Sequence, residues 1–111
     1  MLEVTFYRDG RKRTTSILAR GHAKAGAYGE DVVCAAASAI LQAARLGLEE
    51  HAGLLVRAVQ RPGDFRLRWP AKARDDAAVR AIVATAELSI ARIAKQYPSH
   101  VCIRRRLART G

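Results

Sequence analysis

Polar and apolar positions alternate from the start of the chain. Leu2, Val4 and Phe6 occupy every second place, with Glu3 and Thr5 between them, which is the period of a half-buried strand. Asp9-Gly10 is a turn signal, and residues 14–20, TTSILAR, predict a second strand paired to the first. The glycine-bearing segment that follows, from Gly21 to Gly29, is too irregular for a strand. From Glu30 to about Leu48 the period becomes helical. Val33, Ala37, Ile40, Leu41, Ala44 and Leu48 fall on one side at about 100° per residue, on a face centred near Ile40 and Ala44. LLVRAVQ (54–60) and FRLRW (65–69) predict two more strands around the turn Pro62-Gly63-Asp64. Phe65, Leu67 and Trp69 share one face of the latter, and Arg66 and Arg68 the other. Asp75 and Asp76 suit the first turn of a second helix, whose stripe is Val79, Ile82, Val83, Ala86, Ile90 and Ile93 and which Pro98 ends. HVCIR (100–104) predicts a last strand.

The order β-β-α-β-β-α-β predicts an α+β fold, a two-layer α/β sandwich. Its sheet is mostly antiparallel, of four or five strands, with two helices packed on it. The 111 residues suit one domain, 1–111, with a core small enough that an oligomer interface would help to stabilise it.

Composition changes this picture in two respects. No run of about 18 apolar residues is present, and the N-terminus lacks a charged region followed by a long apolar stretch. Neither a membrane span nor a signal peptide is therefore expected. The two cysteines have no framework spacing, which fits free thiols in a reducing cytoplasm. The 20 basic residues against 10 acidic ones make a formal charge of +10, which favours acidic partners or an RNA-rich setting. The basic runs Arg11–Arg13 and Arg104–Arg106 read as solvated ends rather than a nucleic-acid groove, and aromatics are sparse, so direct nucleic-acid binding stays open.

Candidate chemistry concentrates between Gly21 and Ser38, GHAKAGAYGEDVVCAAAS. Asp31, Cys34 and Ser38 fall within about 60° of one another on the first helix. Gln42, Arg45 and Glu49 continue that polar row, away from the apolar face. A cysteine is usually a small buried hydrophobe; here it sits in a polar row near a helix N-terminus. That position favours the thiolate, as does a neighbouring imidazolium. His22 stands at the end of the second strand, where it can meet Cys34 if the helix packs back over that strand. Spacing alone leaves two readings: a catalytic pair, or a structural cysteine with a surface histidine. Cys102 reads as a strand residue without chemistry. His51 and His100 form no zinc spacing with His22 and Cys34, so no metal or cofactor is expected.

GHA at 21–23 followed by GEDVVCAAAS at 29–38 resembles the signature of the ribosomal-processing cysteine proteases, the Prp family. The family form is close to GHA, a short variable stretch, then G-x-D-I-V-C-A-A-x-S. Val32 stands here for the usual isoleucine, and Lys24 where glycine is common. The resemblance implies a small α/β homodimer. It also implies a cysteine endopeptidase that removes a short N-terminal extension from a large-subunit ribosomal protein precursor, its peptide substrate. By position, Cys34 would be the nucleophile and His22 the general base. Asp31 and Ser38 would lie close to the dyad, with Gly21 and Gly29 bounding a mobile loop. Asp31 either orients His22 or caps the helix. Ser38 either supports the thiolate by a hydrogen bond or is an ordinary polar face residue. The alternative of another class is a non-catalytic, basic ribosome- or RNA-associated binding protein. A thiol redox role lacks a resolving cysteine in a C-x-x-C motif.

Overall fold

The structure is a computed structural model that describes residues 1–21 and 28–109, with the backbone alone at 28–31. Its elements are β1 (Leu2–Arg8), β2 (Thr14–Arg20), α1 (Tyr28–Leu46), β3 (Arg57–Arg61), β4 (Asp64–Arg68), α2 (Ala77–Gln96) and β5 (Val101–Leu107). The five strands form one sheet in the order β3-β4-β2-β1-β5. Three neighbouring pairs are antiparallel, and β5 joins β1 in parallel. The expected α+β sandwich with a mostly antiparallel sheet is thus present.

Two crossovers put both helices on one face. The chain crosses β4 when it runs from β2 through α1 to β3. It travels the opposite way across the sheet from β4 through α2 to β5. The starting strands β2 and β4 are themselves antiparallel. Crossovers of one hand that move in opposite directions from oppositely directed strands return on the same face, as the right-handed rule requires. Leu2, Val4 and Phe6 of β1, Ile17 and Ala19 of β2, Leu67 of β4 and Val101 of β5 meet both helices there in a single buried cluster. Val33, Ala37 and Leu41 come from α1, and Val79, Val83 and Ile90 from α2. The stretch Val32–His51 is long and apolar enough to cross a membrane by length and composition alone, and its buried side is the one laid on this sheet.

Local chemistry sets the element ends. Asp76 caps α2, its Oδ1 accepting from the Val79 amide at 3.1 Å. α1 continues past Leu46 into one wider turn, Gly47–His51, in which the Ala52 amide donates to the Gly47 carbonyl at 2.9 Å. Gly53, at φ 69, then reverses the chain, and the Leu54 amide donates to the Leu48 carbonyl. This reversal takes Leu54 out of the sheet, so β3 starts at Arg57 rather than at the expected residue 54.

Arg11, Lys12 and Arg104–Arg106 are solvent-exposed, as expected of the basic runs, but both runs are built into the sheet region and Arg13 is partly buried. Arg13 bridges Asp9 at 2.9 Å and Asp75 at 2.7 Å, tying the β1–β2 turn to the start of α2. Arg104–Arg106 lie inside β5, which runs three residues beyond the expected strand. Parallel pairing with β1 carries the strand on as far as Leu107 opposite Arg8.

Candidate active site

Cys34 enters the site from α1, on the margin of the helix face that packs on the sheet. The buried positions are Val33, Ala37, Leu41, Ala44 and Leu48, so that face is centred nearer Ala37 and Leu41 than Ile40. Ile40 is only half-buried. Cys34 is consequently half-buried and packs against the core cluster on one side, instead of standing clear of the buried face as its polar row suggests. On the other side it opens into a cleft.

That cleft has a volume of about 470 Å³. Its walls are Cys34, Ser38 and Gln42 of α1, Gly21 at the end of β2, and the β3–β4 turn from Gln60 to Asp64. Leu2, Ala19, Leu41 and Phe65 make its apolar floor. Three of the expected site residues are therefore gathered in one place: Cys34, Ser38 and Gly21. His22 itself lies outside the described residues, as do the side chain of Asp31 and most of the expected mobile loop.

Gly29 falls within α1, because the helix begins at Tyr28. This earlier start alters the electrostatics at Cys34. The thiol stands six positions into the helix, about 9 Å along the axis from its first residue. The helix dipole acts mainly within the first turn. Its influence at Cys34 is accordingly weaker than the sequence suggests.

The turn opposite Cys34 is built by two residues of complementary backbone habit. Pro62 has its φ fixed by the ring, and Gly63 takes φ 76. Arg61 and Asp64 pair directly across them. Asp64 accepts from Arg66 Nε at 2.9 Å and lies 3.7 Å from Arg61 Nε. The hydrogen bond from Arg66 holds its carboxyl below the ordinary value against the opposing effect of burial, and the charges of Arg66, Arg61 and Arg20 add to it. Asp64 thus stays a carboxylate, held between exposed guanidinium groups where the β3–β4 turn closes. Gln60 accepts from Arg45 Nη1 at 3.1 Å, which links the turn back to α1.

Gln60, Arg61 and Asp64 have no place in the sequence motif. Pro62-Gly63-Asp64 is legible as a turn, but its approach to Cys34 depends on the pairing of β4 with β2. Cys102 lies on the opposite side of the sheet, paired with Glu3, and takes no part in the cleft.

The chain matches the family model of the cysteine protease Prp over residues 1–102. The fold is similar to the ribosomal processing protease Prp of S. aureus with a covalently linked product peptide, at TM-score 0.83 and 23% identity, covering 95% of this chain and 99% of that one. The same S. aureus protein with a substrate peptide gives a TM-score of 0.84 at 23% identity, over 95% and 99% of the two chains. SMU.848 of Streptococcus mutans gives 0.84 at 25% identity, over 97% and 96%. None of the curated proteins compared matches the chain. Since the family match runs through both hairpins, both helices and into β5, and takes in every wall of the cleft at Cys34, the chain belongs to the Prp family of cysteine proteases.

Proposed function

We propose that this protease removes a short N-terminal extension from a large-subunit ribosomal protein precursor, with Cys34 as nucleophile and His22 as general base. The observation that carries the reading is the position of Cys34, whose side chain borders a peptide-sized cleft that Gly21, the neighbour of His22, also lines. The S. aureus relatives were seen with a substrate and a product peptide, which supports a peptide substrate here.

The reaction is acyl transfer. His22 takes the Cys34 thiol proton, and the thiolate attacks the scissile carbonyl to form a tetrahedral oxyanion. Its collapse expels the amine, which takes the proton from His22, and leaves a thioester. Water, deprotonated by His22, then releases the acid and restores the thiol. Ser38, one turn beyond Cys34 in the same cleft, offers a hydroxyl to the thiolate. Asp31 cannot act by charge alone, since a carboxylate near Cys34 opposes thiolate formation; its role is to orient His22 or to hold the start of α1. Gly21 opens the segment before α1 that must let an extended peptide reach Cys34, and Gly29 lies in the first turn of the helix that closes it. The active form is a homodimer in the cytoplasm.

The test is mass spectrometry of the host's ribosomal precursor before and after incubation with the protein. Loss of an N-terminal segment from the precursor is the expected result. An intact precursor in the presence of an alkylatable Cys34 removes the assignment of substrate.

A further inference from the structure

The face of the sheet away from the helices carries a row of positive charge for which peptide cleavage has no use. Arg57 on β3 pairs with Arg68 on β4, Arg68 with Ser16 on β2, Ser16 with Tyr7 on β1, and Tyr7 with Arg106 on β5. Paired residues project from the same face. Arg57, Arg68, Ser16, Tyr7 and Arg106 therefore form one cross-strand row over all five strands, about 19 Å from end to end at the usual strand spacing. The three arginines are exposed and, among the described residues, form no ion pair. A shallow depression of about 420 Å³, lined in part by Tyr7, Ser16, Arg57 and Arg68, lies along the row. The two acids of this face, Glu3 and Asp64, sit elsewhere and are engaged by Arg104 and Arg66.

We infer that this row is a binding site for the phosphate backbone of single-stranded RNA. Like charges directly opposite on neighbouring strands destabilise a sheet, and Arg57 faces Arg68 with no acid between them. A bound polyanion relieves that repulsion. Guanidinium groups bind phosphate oxygens in a bidentate fork. The ring of Tyr7, flanked along the row by Ser16 and Arg106, offers a surface on which a base can stack, as sheet-borne aromatics do in single-strand binding. A second copy of this chain is a poor occupant, because it would set the same unpaired arginines against one another. The inference is independent of the proposed cleavage: the row lies on the other side of the sheet from Cys34.

The experiment measures fluorescence anisotropy of a labelled 20-nucleotide oligouridylate titrated with the protein at several salt concentrations. Binding is expected, with log affinity falling against log salt at a slope of about −2, from three phosphate contacts at about −0.7 each. The variant R57E/R68E/R106E is expected to lose tenfold or more in affinity and to flatten that slope. R80E/R92E/K95E on the exposed side of α2 makes the same change in net charge and is expected to stay within about threefold of the parent. R57Q/R68Q/R106Q, which adds no repulsion, is the reading if the glutamate variant does not fold, with a loss of fivefold or more expected. Cleavage of a short precursor peptide is read on every variant, so failure of the RNA site and failure of the protease assignment are seen separately. Absence of RNA binding by the parent, equal losses in the sheet and helix variants, or a poly-aspartate peptide binding as tightly as the RNA would each overturn the inference.

Discussion

The amide of Gly21 donates to the carbonyl of Gly63 at 3.1 Å, joining the end of β2 to the β3–β4 turn across the rim of the cleft. Both residues have positive φ, 88° and 76°. A Cβ at Gly21 would also collide with the Met1 carbonyl oxygen. The residue before His22 is thus held by backbone geometry that only glycine meets without strain. Gly21→Ala should cost about 2 kcal/mol or more of stability and reduce cleavage, because His22 is carried on the displaced segment. Gly10→Ala, with open space around its Cβ position, is the matched control and should be nearly neutral. Urea unfolding of both variants, with peptide turnover, checks this; equal midpoints would show that Gly21 is not strained.

Cys34→Ala and Cys34→Ser should abolish cleavage and leave the melting temperature close to that of the parent, since the side chain is half-buried and small. Cys102→Ser should leave turnover unchanged. Iodoacetamide at neutral pH should modify Cys34 faster than Cys102, read by mass of the tryptic peptides. A Cys34→Ala protein that still processes its substrate would falsify the nucleophile assignment.

Acid stability should carry the signature of Asp9. Its carboxyl is buried, which alone would raise its pKa. The amides of Arg13 and Arg11 and the guanidinium of Arg13 outweigh burial and bring it from 3.8 to about 2. Arg74 adds a contact at 3.2 Å. A carboxyl whose folded pKa lies below its unfolded one stabilises the fold above the unfolded value and loses that contribution as pH falls through the folded value. The window is therefore from about pH 4 down to about pH 2. Asp9→Asn should be less stable than the parent at pH 7 and show a flatter fall in urea midpoint across that window. Parallel curves for the two proteins would remove Asp9 as the source.

Light scattering at micromolar concentration should report twice the chain mass of 12.1 kDa. The core is small, and half-buried Ile40, Ile82 and exposed Leu46 leave apolar surface on the helical side. A monomer mass at that concentration would exclude the homodimer.

Much of the architecture follows from local pattern alone. The alternation in β1, β2 and β4 and the helical stripes of α1 and α2 are local consequences of how side chains project from strand and helix. The spacing of His22, Asp31, Cys34 and Ser38 is likewise carried in one short segment, so the protease signature could be read before any fold was known.

What the local pattern did not contain was set by pairing between distant segments. The position of β5 beside β1 turned Arg104–Arg106 from a terminal basic run into strand residues. The sheet register brought Arg57, Arg68 and Arg106 into one row although they are far apart in sequence. The antiparallel pairing of β4 with β2 placed Gln60, Arg61 and Asp64 opposite Cys34, where no motif marks them. The exact rotation of α1 was also a tertiary outcome, since packing on the sheet, not the polar row, decided that Cys34 lies half in the core. Sequence periodicity says which side of an element is apolar; only the partner laid against it determines which residues become neighbours, and a catalytic cleft or a charged row is made of neighbours.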